Sequence, residues 1–444
     1  MGPRRRLERA VATLLLALLP WIPASPPANA YSFLTHENMI DVAWQRSIVP
    51  AIRARFPTVT ATQLREARAY AYGGATIQDM GYYPFGHEFF SNLTHYVRSG
   101  EFVENLLLDA QTVDEYAFAL GALAHAVGDD NGHRFATNIS TPLEFPKLEK
   151  KYGPRVTYDQ APYAHIRTEF AFDVEQARLD RMAPRGYIEH VHLYVPQRLL
   201  KQAFAQTYGL SLRSVLGPTP TAIKSYRSSL TGILPDVAHA ETLLHKTSFP
   251  PEENSPAFAA YQAQQAAVER ENNWAAMRRK PGFKAHFLAA LIWMTPRIGP
   301  LSTLAIRGPS AETNRWYVES RNRSAARYAQ LLARLAKHPR APLVLPDRDL
   351  DTGDVTRPGA YPLTDKTYAK LLQRITARSN HPVPAGLKRN VLAYYADPDA
   401  PIVTRKHPRA WRKVQRELMK LRSMEGIENC GTACVAPATH STGI

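Results

Sequence analysis

Two stretches decide how this chain is read: Gly121–Arg134, GALAHAVGDDNGHR, and Ala161–Asp173, APYAHIRTEFAFD. The first carries His125, Asp129 and His133; the second carries His165 and Glu169. Residues four apart on a helix lie on one face, a turn from each other. Each stretch therefore projects its imidazoles and carboxylates in a row. The flank Ala117–Val127 is apolar all round, which predicts a buried helix. Burying such groups without partners costs roughly 1–3 kcal/mol for a neutral group and more for a charge. A metal ion supplies the partner, and nitrogen with carboxylate oxygen is a zinc donor set. Five donors exceed what one tetrahedral zinc takes, so two or three ions are expected, with Asp129 as the bridge. Ions held about 3.5–4 Å apart form a device for cleaving phosphoesters, in which bound water ionises near pH ~7.

Outward from these stretches the pattern stays helical. Apolar residues recur at three- and four-residue spacing in Met39–Ile52, Ala61–Tyr72, Phe102–Leu108 and Val113–Val127. Thr112 with Glu115 predicts a capping box at the start of the last of these. Further helices are expected over Gln197–Tyr208, Thr221–His245 (kinked at Pro235), Ala257–Arg278, Phe283–Thr295 and Ala311–Ala336. Three more follow over Lys366–Ser379, Gly386–Ala396 and Ala410–Arg422. Gly73–Tyr96 reads as a long loop or broken helix rich in glycine and aromatics, and His338–Pro362 reads as loop. Short strand-like pieces at Tyr187–Val195 and Pro342–Leu345 cannot build a large sheet. The expected fold is all-α: a multi-helical bundle with a metal cleft, then a mainly helical C-terminal extension. The divisions are 1–30, 31–200, 201–340 and 341–444, the last ending in a disordered tail. The Arg-rich face of Arg315–Arg334 reads as solvated, His190 and His192 as surface residues. The acidic run at Asp349, Asp351 and Asp354 reads as a plain loop, because it lacks the helix–loop–helix glutamate pattern of a calcium site.

The first thirty residues look like a secretory signal: a basic start, the short apolar run VATLLLALLPWI, and a small-x-small end at Ala28-Asn29-Ala30. Secreted or periplasmic localisation follows as an expectation. Removing them takes away four arginines and one glutamate and lowers the net charge from +16 to +13. That balance favours anionic partners such as phospholipid headgroups, an anionic membrane surface or nucleic acid. Cys430 and Cys434, in an oxidising compartment, are expected to form a small terminal disulfide.

YSFLTHENM after Ala30, the Gln78-Asp79 pair, and the two helical motifs resemble the bacterial zinc-dependent phospholipases C. They are similar, more distantly, to the fungal single-strand-specific nucleases. The resemblance covers about Tyr31 to Asp173 and implies an all-helical hydrolase with three zinc ions. Carried over residue by residue, it implies one zinc on Asp79, His95, His125 and Asp129. A second would be bridged through Asp129 to His36 and the free terminus of Tyr31. A third would sit on His133, His165 and Glu169. Family spacing after the aspartate favours His95 over His87 as the loop ligand. The resemblance further implies that Asp79 orients and deprotonates the attacking water. His87, Tyr82, Tyr83, Phe85 and Phe89 become candidates for touching substrate, although the aromatics could equally pack the loop onto the body. One departure stands out: the Asp129-to-His133 step is shorter than the family's, which predicts a straighter helix there.

Three functional readings remain open at this point. They are a phospholipase C-like phosphodiesterase, a single-strand nuclease, and a non-catalytic zinc-binding envelope or lipid-binding protein. The H-x-x-x-E ending at Glu169 is the phospholipase form; the nucleases have aspartate there. If the amine of Tyr31 is a ligand, a mature chain extended by one residue before Tyr31 should lose one zinc on elemental analysis; unchanged content would refute it.

Overall fold

The computed structural model describes residues 32–244, 255–278, 282–294, 306–378 and 381–428. The expected signal segment, Tyr31, and the tail with Cys430 and Cys434 lie outside the described residues. Within them the fold is all-α: the strands are two-residue pieces that form two small pairs. No described helix is long and apolar enough to cross a membrane.

The centre is the helix Val113–Gly132. The Thr112 side chain accepts from the Glu115 N–H, and Asp114 and Glu115 favour the positive end of the dipole. The reciprocal half of the expected capping box is not made. Glu115 accepts instead from the Gln111 N–H and pairs with Arg198 across the fold. A full box forms at Thr60 and Gln63, where the sequence reading had none. Tyr116 to Ala124 are buried without a break, so neighbours surround this helix. The long helix Ala311–Lys337 crosses it, with the Tyr328 hydroxyl donating to the Leu120 carbonyl at 2.8 Å.

The helix Ala61–Ala75 packs closest against the centre, and two glycines set the approach. A Cβ on Gly74 would collide with the Phe118 carbonyl; one on Gly121 would collide with the Ala71 carbonyl. The two backbones therefore touch directly. The chain then tightens through a 3-10 turn, Ile77–Tyr82, and resumes as the helix Glu88–Tyr96. The expected broken helix is thus what forms, and both Asp79 and His95 are held on ordered backbone.

The first helix, Phe33–Ala43, starts at Ser32, whose side chain makes no cap. Asp173 does the work from the helix Pro162–Arg178: it accepts from the Leu34 and Thr35 N–H groups at 2.8 and 3.1 Å and from the Thr35 hydroxyl at 2.5 Å. This is an N-cap supplied across the fold. It locks the helix bearing His36 to the helix bearing His165 and Glu169.

The C-terminal part is not a separate body. One hydrophobic core runs from Phe33 to Met424 and draws on all three divisions after residue 30. Arg348–Asp349 and Asp354–Val355 pair antiparallel in a small hairpin. At its turn, Gly353 has φ +71°, and a Cβ there would also press on the Asp130 carbonyl. Other expectations need correction. Tyr187–Val195 is mostly helix, Arg185–Val191, and Pro342–Leu345 forms no strand. Arg321 is buried rather than solvated and donates to Asn38 Oδ1 at 2.7 Å. Asp349 and Asp351 are buried too, so their loop is not a solvated one.

Gly121→Ala should lower stability by about 3 kcal/mol or more, the upper end of overpacking penalties, because backbone is what obstructs. Gly232→Ala, where a Cβ meets nothing within 4 Å, should leave the urea midpoint nearly unchanged. Equal midpoints for the two variants would show that the close approach is not needed.

Candidate metal centre

The short-range geometry gathers the predicted donors into three clusters: His36, His125 and Asp129; Asp79, His95 and His125; and His133, His165 and Glu169. Each of these side chains is buried. His125 belongs to two clusters. Asp129 joins them: its Oδ1 lies 3.3 Å from His36 Nε2, and its Oδ2 lies 3.0 Å from His125 Nε2 and 3.3 Å from His95 Nε2. Asp79 Oδ1 is also 3.3 Å from His95 Nε2. In the third cluster Glu169 Oε1 is 2.9 Å from His165 Nε2 and 3.5 Å from His133 Nε2.

The backbone fixes how three of these rings face. His125 Nδ1 is 3.0 Å from the Ala75 carbonyl, His95 Nδ1 2.8 Å from the Ser91 carbonyl, and His133 Nδ1 2.6 Å from the Leu350 carbonyl. A carbonyl can only accept, so each Nδ1 carries the hydrogen. A neutral ring then turns the Nε2 lone pair toward carboxylate oxygens at 3.0–3.5 Å. Lone pairs facing each other repel; a cation between them converts the repulsion into coordination. Two donors each about 2.0–2.2 Å from one zinc lie at most about 4.4 Å apart. All the separations above meet that limit. His133 Nε2, His165 Nε2 and Glu169 Oε1 are buried with no hydrogen-bond partner. Nδ1–H held by a backbone carbonyl is also the usual support of a ligating histidine. The residues present fit zinc.

The charge balance differs across the centre. Burial disfavours charge on Asp129, but His125, His36 and His95 outweigh it and hold the carboxyl well below the ordinary range. Burial likewise opposes charging of His95, yet Asp129 and Asp79 hold it well above the ordinary histidine value. His36 is lowered by burial and by His125, on which its ring stacks at 4.3 Å. In the third cluster burial, then Asp129 and Asp351, push Glu169 well up, while burial and His133 push His165 well down. Acid and base are both driven towards neutrality there, as in a donor set short of positive charge.

The remaining candidates divide. His95, not His87, is the loop histidine brought to Asp79. His87 caps the helix Glu88–Tyr96 instead, its Nδ1 accepting from the Phe89 N–H. Phe89 and Tyr83 are core residues, Tyr83 edge-on to Tyr226, so neither lines an open cleft. Phe85 alone of the four is a surface group, 62% exposed at φ +62°. Tyr82 and Tyr158 pack together beside His95 and His165. After Asp129 the helix passes without a break into a wide turn, His133–Thr137, in which the Asn138 N–H reaches back to the His133 carbonyl. Such five-residue bulges inside helices recur at functional sites. The sequence reading missed Asp351, whose Oδ1 lies 3.9 Å from His133 Nε2.

Residues 35–216 match the family model described as zinc dependent phospholipase C. This region, about two fifths of the chain, is similar to the zinc-dependent phospholipase C family. No curated protein and no solved structure gives a match. The match supports a phospholipase C-like reading in general terms, and the donor clusters fit the zinc that the family description states.

Asp129→Asn should lower bound zinc, measured by elemental analysis, by more than His165→Ala does, because Asp129 serves two clusters. Zinc affinity should also fall with pH, since ligands must be deprotonated to bind. His95 and His125 are held above their ordinary value of 6.5, so the weakening should begin above that pH. Equal zinc loss in both variants, or affinity flat between pH 8 and 6, would contradict the arrangement.

Proposed function

We propose that the protein is exported, loses residues 1–30, and hydrolyses the headgroup phosphodiester of a phospholipid. The observation that carries this reading is the coupling of two donor clusters through His125 and Asp129, within the region that matches the family. The net charge of +13 left after that loss (16 − 4 + 1) suits an anionic surface. The glutamate at 169, four residues after His165, supports phospholipid over nucleic acid.

When bound, zinc ions neutralise the phosphate and bring the ionisation of water near neutral pH. The chain's residues then have separable tasks. Asp129, shared between clusters, fixes the spacing of the reaction centre. His125 and His95 cannot shuttle protons through Nδ1, because the Ala75 and Ser91 carbonyls hold those hydrogens. The family resemblance gives proton transfer to the Asp79 carboxylate. It sits on the 3-10 turn with Oδ1 near His95 and Oδ2 3.9 Å from His125 Nδ1. In this reading it accepts the proton of the attacking water. Burial of the whole group keeps bulk water from screening the charges.

The test is to incubate the zinc-loaded mature protein with phosphatidylcholine vesicles and, separately, with single-stranded DNA, each with and without chelator. Diacylglycerol release that chelation abolishes is expected. Asp79→Asn should lower kcat by roughly 10²-fold or more, the scale of a lost general base. Cleavage of DNA alone would move the reading to nucleic acid, and turnover of neither would remove the hydrolytic one.

A further inference from the structure

Asp351 lies far beyond the family match, on the small hairpin of the C-terminal part, yet it reaches the third cluster. Every polar atom of Asp351 is engaged except one. Its N–H donates to Asp349 Oδ1 at 3.1 Å, and its carbonyl accepts from Asn138 Nδ2 at 2.7 Å. Its Oδ2 accepts from the Tyr96 hydroxyl at 2.9 Å and the Tyr361 hydroxyl at 2.6 Å. Oδ1 is buried and has no hydrogen-bond partner, and it lies 3.9 Å from His133 Nε2, which has none either. The neighbouring Asp349 is different. Its Oδ2 accepts from the Thr364 hydroxyl at 2.6 Å and its Oδ1 from its own turn, so it is satisfied.

The hairpin is built to hold this position. The Leu350 carbonyl takes the Nδ1 hydrogen of His133, and the Leu350 N–H donates to the His95 carbonyl at 3.1 Å. Arg134 donates to the Gly353 carbonyl, and Arg348 lies 3.6 Å from Asp130. Asn138, which holds the Asp351 carbonyl, begins the helix after the wide turn at His133–Thr137. One loop therefore sets the face of the His133 ring and delivers a bare carboxylate oxygen to the same side.

We propose that Asp351 Oδ1 is a fourth protein ligand of the His133, His165 and Glu169 cluster. This rests on the reading of that cluster as a zinc site. Asp351 Oδ1 at 3.9 Å from His133 Nε2 is within the limit of about 4.4 Å for two donors sharing one zinc, as are the 2.9 and 3.5 Å from Glu169 to His165 and His133. Asp351 is not itself in the set whose donors all lie within 4.8 Å of one another, so ligation draws it inward towards the ion. Two imidazoles and two carboxylates complete a tetrahedron, and a zinc held by four protein donors is closed to water and substrate. The third ion then serves structure. It ties the C-terminal hairpin to the two ligand helices, and the reacting water belongs to the pair of clusters around Asp129.

Asp351→Asn is a fitting test in the full mature chain. The amide oxygen can still accept from both tyrosines while the amide nitrogen replaces the ligand atom. Zinc stoichiometry by elemental analysis and affinity by chelator competition are compared for wild type, Asp351→Asn, Asp349→Asn and His165→Ala. The affinity of the step that His165→Ala removes should fall about 10-fold or more in Asp351→Asn, at least the scale of a lost supporting contact. In cobalt-substituted protein the visible bands of that step should change. Asp349→Asn should alter neither. Wild-type affinity and an unchanged cobalt spectrum in Asp351→Asn would overturn the proposal. Absence of zinc at that step in wild type would instead overturn the zinc reading of the cluster. Independently of any variant, a structure of the zinc-loaded wild type should place Asp351 Oδ1 about 2.0–2.2 Å from the ion; a separation beyond about 3 Å would also overturn it.

Discussion

Direct backbone contact between the helices Ala61–Ala75 and Val113–Gly132 is the constraint on which the centre depends. Gly74 and Gly121 face each other's helix with no room for a Cβ. The residue after Gly74 is Ala75, whose carbonyl receives the Nδ1 hydrogen of His125, one turn beyond Gly121. Any wider separation would take that carbonyl out of reach. The His125 ring would then be free to turn, and it is the ring common to two clusters. A packing feature of small residues thus determines the aim of a metal donor. Helix propensity alone disfavours glycine inside helices; here tertiary packing overrides it.

The same logic repeats at the other rings. The Ser91 carbonyl orients His95 from within its own helix, and the Leu350 carbonyl orients His133 from the C-terminal hairpin. Each aim is fixed by backbone, the least mobile acceptor a protein has. Backbone acceptors on the far nitrogen are the support that ligating histidines ordinarily have. The counterpart is electrostatic: burial pushes the Glu169 carboxyl up and the His165 ring down, each towards its neutral form. Folding must hold this arrangement together, which explains why so many of the surrounding contacts are long-range. The cap supplied by Asp173 to the first helix is one of them.

Much of this was legible in the chain. The four-residue spacing of His125, Asp129 and His133, and of His165 and Glu169, follows directly from helical geometry. So does the all-α fold, because three- and four-residue apolar spacing needs no partner strand. What was not legible depends on distance in sequence. Periodicity cannot show that Phe89 and Tyr83 face the core while Phe85 faces out, because a short turn with positive φ at Phe85 reverses the chain between them. Nor can it show that Arg321 turns inward to Asn38 from a helix whose other arginines look solvated. Asp351 was misread for a similar reason. An acidic loop was judged against a self-contained calcium pattern, whereas its partners, Tyr96, Asn138 and His133, lie more than two hundred residues earlier.

That distance bears on what the C-terminal part is for. The matched region ends at residue 216, and the acceptor that holds His133 Nδ1, the Leu350 carbonyl, lies outside it. Without the hairpin, His133 could protonate either nitrogen and point either one at Glu169. The hairpin in turn is placed by the helix Pro362–Thr376, through Thr364 to Asp349, and by Tyr361 to Asp351. Those elements share the continuous core with the central helix. Metal binding at the third cluster is therefore linked to folding across the whole described chain, and by linkage each must strengthen the other. The C-terminal part acts as a component of the centre, since it supplies the acceptor that makes one of the histidines a donor of defined direction.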